Sequence, residues 1–148
     1  MLKALRLSLL KRFSRALNAP FRSSNGKGEL DHLAIGELGE KIARIYLRGE
    51  GRKILYRNFR APRGGEVDIV ARDGEVLSFV EVKTRTSEAF GRPLEAVDKR
   101  KQALIQRGAN EWLRLLGTRD IAWRFDVVEV VLLEGEKPRV NVVLNVFE

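Results

Sequence analysis

Two hydrophobic rhythms alternate along the chain. Over residues 32–48, Ala34, Ile35, Leu38, Ile42, Ile45 and Tyr46 recur at three- and four-residue intervals. That spacing predicts a helix with one apolar stripe, and Asp31 stands where its N-cap belongs. Residues 49–51 (GEG) stop it, KILYRNF at 53–59 reads as a strand, and APRGG at 61–65 reads as a turn. The stretch GGEVDIVARDGEVLSFVEVKTR (64–85) then gives two apolar strands around Asp73-Gly74, a strong hairpin signal. A loop rich in Ser, Gly and Pro runs to Pro93. From Asp98 to Leu116 the helical rhythm returns, offering Ala103, Leu104, Ala109, Trp112, Leu113 and Leu116 to the core. Ile121–Leu133 and Val140–Phe147 read as a second hairpin joined by EGEK at 134–137. The expected fold class is α/β, a mixed central sheet in the order α-β-β-β-α-β-β flanked by helices. Trp112 and Trp123 are expected in the core and His32 at the start of the first helix.

The 64–85 hairpin breaks its own pattern. Glu66, Asp68, Glu81 and Lys83 sit among its apolar residues. With Asp73-Gly74 as a two-residue turn, Glu66 falls opposite Glu81, Asp68 opposite Phe79 and Lys83 opposite Gly64. All four charged side chains then project from one face, with Val67, Ile69, Val80 and Val82 on the other. Val70, Leu77 and Phe79 share the acidic face, so it is apolar at the turn end and acidic at the open end. A wet sheet face with a charge network explains the acids; a covered pocket explains the acids and their apolar neighbours together. Like charges facing each other across a sheet cost roughly 0.2–1 kcal/mol, and a bound cation or Lys83 would offset that cost.

Composition narrows the cation. The chain of 148 residues suits one domain, with 44% hydrophobic and 32% charged residues. It has no cysteine and one histidine, which excludes thiolate sites and argues against a zinc centre. Carboxylates and carbonyls remain, and they suit Mg²⁺ or Mn²⁺. A net charge of +8 favours a polyanionic partner such as nucleic acid. No apolar run has the length of a membrane span. A cytoplasmic protein is expected.

Residues 1–28 hold no acid, and Leu2, Leu5, Leu9, Phe13, Ala16 and Leu17 recur at helical spacing among the cations. Residues 2–17 therefore read as a basic amphipathic helix ended by Pro20, and SSNGKG at 23–28 as a linker. The expected division is an N-terminal extension over 1–30 and a domain over 31–148. A nucleic-acid arm, an organellar presequence, a membrane-surface segment and an extension without a role all fit the first part.

The pattern E-x-D-(x12)-E-x-K, with Val67 in place of the motif's proline, resembles the PD-(D/E)XK nuclease superfamily. Together with GELGEKIARIYL (36–47), NFR (58–60), FGRPLEAVDKRKQ (90–102) and RFDVVEV (124–130) it resembles the YraN family. These are small bacterial proteins described as candidate endonucleases, related in fold to Holliday-junction resolvases. The resemblance covers about residues 32–148. It implies a restriction-endonuclease-like fold and a Mg²⁺- or Mn²⁺-dependent DNA endonuclease, acting on branched DNA in repair or recombination. The alternative is a nucleic-acid-binding or partner-binding module on the same fold with little turnover. The resemblance also implies roles: Asp68, Glu81 and the Val82 carbonyl as metal ligands, Lys83 as the catalytic ammonium, and Glu40, or Glu37 one turn earlier, as an acid from the first helix. Glu66 would be an outer or second-metal ligand. Lys99, Arg100 and Lys101 crowd the first turn of the second helix, where the dipole disfavours cations and an anion would reverse the balance. They, with Arg60, Arg63 and Arg85, are candidates for the DNA backbone. A homodimer is expected from the two-fold symmetry of a four-way junction.

Overall fold

The computed structural model describes residues 15–23, 31–88 and 97–147. The proposed linker, most of the proposed amphipathic helix and the loop before Val97 lie outside the described residues.

The first apolar stripe forms α1 (His32–Gly49), which buries Ile35, Ile42, Ala43, Ile45 and Leu47. Its N-cap is Asp31, whose side chain accepts the Leu33 N–H at 3.0 Å. Then follow β1 (Lys53–Arg60), β2 (Glu66–Asp73), β3 (Val76–Arg85), α2 (Lys99–Leu116), β4 (Trp123–Val131) and β5 (Arg139–Val143). Asp98 caps α2 by accepting the Lys101 N–H at 2.8 Å, and Gly117 ends it at φ 79°, a left-handed position that glycine takes without strain. The five strands form one sheet in the order β1-β2-β3-β4-β5. All pairs are antiparallel except β3–β4. That parallel pair requires a crossover, and α2 supplies it.

The fold is α/β, a mixed five-stranded sheet flanked by helices. On one face, Ile42, Ala43 and Leu47 of α1 pack on Ile69, Val80, Val128 and Val130. On the other, Ile105, Ala109 and Leu113 of α2 pack on Val67, Val70, Phe79, Phe125 and Val127. Each fully buried side chain of this kind contributes about 1.5–3 kcal/mol relative to exposure. Leu17 and Phe21 lie against the α1 layer. Phe21 also donates its N–H to the Glu136 carbonyl at 2.7 Å, and the Gly135 N–H returns to the Phe21 carbonyl at 2.8 Å. These residues of the N-terminal segment are thus tied to the β4–β5 turn.

Four expectations change. The β2–β3 ladder pairs Asp73 with Val76 and Ile69 with Val80, so Gly74-Glu75, not Asp73-Gly74, is the two-residue loop. Gly74 has φ 59° and occupies the first central position, the place a type II′ turn reserves for glycine. The register moves by two residues, which leaves every side chain on its face. Second, Val67 leaves Ile69 and joins the α2 layer. Third, β5 stops at Val143. Asn145 takes φ 52° and gives its N–H to Asp126 at 2.9 Å, and Phe147 then stacks on Phe125 at 4.6 Å. Fourth, Trp123 is 38% exposed and Leu116 48%, because both stand at the ends of their elements; Trp112 is half-buried between Tyr56 and Phe59.

Candidate functional site

The site begins where β2 parts from β3. The paired ladder ends at Ile69–Val80. One step further the side chain of Asp68, not a backbone carbonyl, accepts the Val82 N–H at 2.8 Å. Opposite Asp68 on β1, Asn58 has φ 53°, and this distortion accompanies the change of side at Val67. An extended strand sends a residue's N–H and C=O to the same edge. The Val82 carbonyl therefore faces the same cleft as Asp68. Continuing the register one step sets Asp68 opposite Glu81, on the α2 side of the sheet.

Glu81 is 7% exposed. Burial, and then the charge of Asp68, push its carboxyl up to about 8. Its Oε1 lies 3.4 Å from Lys101 Nζ; its buried Oε2 meets no ordinary donor, and a side-chain hydrogen bond shared with Asp68 helps to raise the carboxyl. Lys101 Nζ also holds Glu66 Oε1, and Arg60 Nη1 reaches Glu66 Oε2 at 3.4 Å. The hydrogen bond from Lys101 pulls the Glu66 carboxyl below the ordinary range. Glu40, from α1, is raised by burial and by Asp68, with the side chain of Asn58 acting in the opposite direction. Glu37 is exposed, and among the groups acting on Glu40 its influence comes last.

Two glycine contacts position these groups. A Cβ on Gly65 would lie 2.3 Å from the Gly108 nitrogen, and one on Gly108 would lie 2.8 Å from Val67 Cγ2. Helix α2 therefore crosses the start of β2 backbone to backbone. Lys101, two turns before Gly108 on the same side of the helix, is delivered to Glu66 and Glu81. On the other face, a Cβ on Gly39 would lie 1.8 Å from Thr84 Oγ1, so α1 sits tight against β3 beside Glu40.

The structure brings Asp68, Glu81 and the Val82 backbone together, with Glu40 in electrostatic reach. Glu66 departs from its expected role: Lys101 and Arg60 occupy its two oxygens. Among the described residues, no three His, Cys, Asp or Glu side chains stand close enough to hold a metal ion. Lys83 is half-buried and lies beside Glu129 in the parallel register, and among the described residues it makes no ion pair with the acids. Arg85 Nε is 3.4 Å from Glu129 Oε1. Lys99 and Arg100 are exposed. The anion anticipated at the start of α2 is internal: Asp98 caps the helix, and Lys101 turns to Glu66 and Glu81. The inward reach of Lys101 was missed, although its spacing to Ile105 and Gly108 places it on the buried stripe of α2.

The donors fit a hard divalent cation. Mg²⁺ is commonly held by one or two carboxylates while it keeps several waters. Asp68, Glu81 and the Val82 carbonyl make such a set. Two carboxyl groups this close cannot both ionise cheaply without a shared proton or a cation.

A second buried polar cluster lies at the hairpin end of the sheet. Asp126 accepts from Ser78 Oγ at 2.5 Å, from Arg52 at 3.2 Å and from Arg124 at 3.0 Å. Arg124 also binds Asp73 at 2.6 Å. Its buried partners are satisfied within the fold, so it ties the hairpin to β4.

Comparison with known proteins identifies relatives. The family model described as "Uncharacterised protein family UPF0102" matches residues 39–130. A UPF0102 protein of Trichlorobacter lovleyi is 47% identical over 124 residues, covering 83% of this chain and 94% of that protein. One from Geobacter sulfurreducens is 45% identical over 123 residues, covering 83% and 95%. One from Beutenbergia cavernae is 48% identical over 108 residues, covering 73% and 91%. The matched region contains both acidic strands, the β3–β4 crossover and Asp126. This chain belongs to the UPF0102 family, the YraN-like proteins.

Proposed function

We propose that this protein is a Mg²⁺- or Mn²⁺-dependent endonuclease of restriction-endonuclease-like fold that hydrolyses DNA phosphodiesters, with branched DNA of repair or recombination as its substrate class. The observation that carries this reading is the pair Asp68 and Glu81 at the parting of β2 and β3, two carboxyl groups close enough to raise one of them. A bound divalent cation would supply Lewis-acid polarisation of the phosphodiester and a lowered pKa for the attacking water.

The chain's own groups do the rest. Asp68, Glu81 and the Val82 carbonyl would hold the cation. Lys101 holds Glu81 through Oε1, beside Asp68. Lys83, two residues beyond Glu81 on the same face, orients the attacking water and offsets charge on the phosphorus-centred transition state. Glu40, whose proton affinity is raised, would receive the proton of that water. Lys99, Arg100 and Arg63 contact the DNA backbone, giving salt-sensitive affinity that is indifferent to sequence.

One observation favours a second reading. Lys101 occupies Glu66 and shares Glu81, which leaves two carboxylates for a cation. A nucleic-acid-binding module that binds Mn²⁺ and turns over little would have this arrangement.

A panel of end-labelled linear, flapped and four-way DNA, incubated with Mg²⁺, Mn²⁺ or chelator, separates the two. The nuclease reading expects metal-dependent cleavage that disappears in Asp68→Ala and Lys83→Ala. Binding without cleavage of any structure selects the module.

A further inference from the structure

Beyond the acids, the β1–β2 turn and the outer side of α2 enclose a groove of about 660 Å³. Gly65, Arg63, Arg107, Arg114 and Arg119 line it, with Glu111 as the acid among its lining residues. Glu111 is already taken by Arg114, at 2.9 and 2.6 Å. Among the described residues, Arg63 and Arg107 make no ion pair. Gly117, left-handed at the end of α2, folds the chain back so that Arg119 donates to Asn110 Oδ1 at 2.7 Å. That bond leaves the guanidinium's charge in place, as does its position 6.0 Å from the Trp123 ring.

We infer that this groove is a phosphate-backbone track that carries a DNA strand from the Asp68–Glu81 site along α2 to Arg119. The track starts at the site, because Gly65 in its wall directly precedes Glu66, and Lys101 and Arg107 share one helix. From Lys101 to Arg114 the helix runs about 20 Å, the rise of roughly six base pairs at 3.4 Å per step. Guanidinium forks suit phosphate oxygens. An apolar floor beneath a cationic rim suits a sugar-phosphate strand better than a small anion. This assignment rests on the nucleic-acid part of the proposed function and adds Arg107 and Arg119 to the contacts.

The test is DNA binding in chelator, where cleavage plays no part. Fluorescence anisotropy with a labelled four-way junction is measured from 50 to 200 mM salt for the full chain. Arg107→Glu/Arg119→Glu is compared with a charge-matched control, Arg48→Glu/Lys53→Glu, on exposed residues away from the groove. Both variants are first shown to melt as the parent does. The groove variant is expected to lose tenfold or more in affinity, and its salt slope to fall by about 2; the control is expected to lose less than threefold. Equal losses in both, or no loss in the groove variant, overturn the track. Groove-dependent binding without metal-dependent cleavage keeps the track and removes the nuclease chemistry. Cleavage with groove-independent binding does the reverse.

Discussion

Lys101 Nζ lies 3.4 Å from Glu81 Oε1, and the same ammonium holds Glu66. The motif pattern points to Lys83 as the ammonium of this site, yet the lysine that touches the acids comes from α2. The two lysines therefore separate by experiment. Lys101→Met removes the cation beside buried Glu81 and leaves Glu66 with Arg60 alone, and is expected to cost about 1–2 kcal/mol in urea unfolding with chelator present. Lys83→Met is expected to change stability by less than about 0.5 kcal/mol. Equal effects would show that Lys101 is no more than a surface charge.

The pH dependence follows from Glu81. Its folded carboxyl is raised from 4.5 to about 8, so between those values the folded state binds more protons than the unfolded one. Stability must then fall as pH rises through this window and level off above it. Melting temperatures in chelator, taken from pH 5 to 9, are expected to drop more steeply for the parent than for Glu81→Gln. Added Mg²⁺ should recover stability at pH 8 in the parent alone. Parallel curves for the two proteins would remove Glu81 as the buried titrating group.

The crossing of α2 over β2 makes its own prediction. Gly65→Ala meets the Gly108 backbone and is expected to destabilise by about 1–3 kcal/mol, displacing Lys101 with the helix. Gly36→Ala, with open space around its Cβ, is expected to stabilise α1 by about 0.5–1 kcal/mol. Denaturation midpoints that move in the same direction for both would contradict the contact geometry.

Asp126 lies at the far end of the sheet and is 1% exposed. Asp126→Ala takes the acceptor from Ser78 and the Asn145 N–H and leaves buried Arg52 with Asp73 alone, at 3.7 Å, and is expected to cost about 3–5 kcal/mol. Mn²⁺ affinity of the folded fraction should not change. A coupled loss of metal binding would join the two polar clusters that the structure separates.

Local features were legible in the sequence. The helix stripes, the Asp31 cap and the shared face of Asp68 and Glu81 all follow from spacing. The turn at Gly74 was legible only to within two residues, because Asp73-Gly74 fits two turn types and the pleat hides an even slip. The side switch of Val67 was not legible, since period-two reasoning assumes an unbroken strand. The hold of Lys101 on Glu66 spans 35 residues and depends on Gly65 meeting Gly108, a long-range contact that no local pattern encodes. The docking of Phe21 on the β4–β5 turn is of the same kind.

Calorimetric titration of Mn²⁺ at pH 8 tests the cation site most directly, using the parent, Asp68→Asn and Lys83→Ala. Binding to the parent and to Lys83→Ala is expected, with at least tenfold weaker binding to Asp68→Asn. Undiminished binding to Asp68→Asn, or none to the parent, would contradict it.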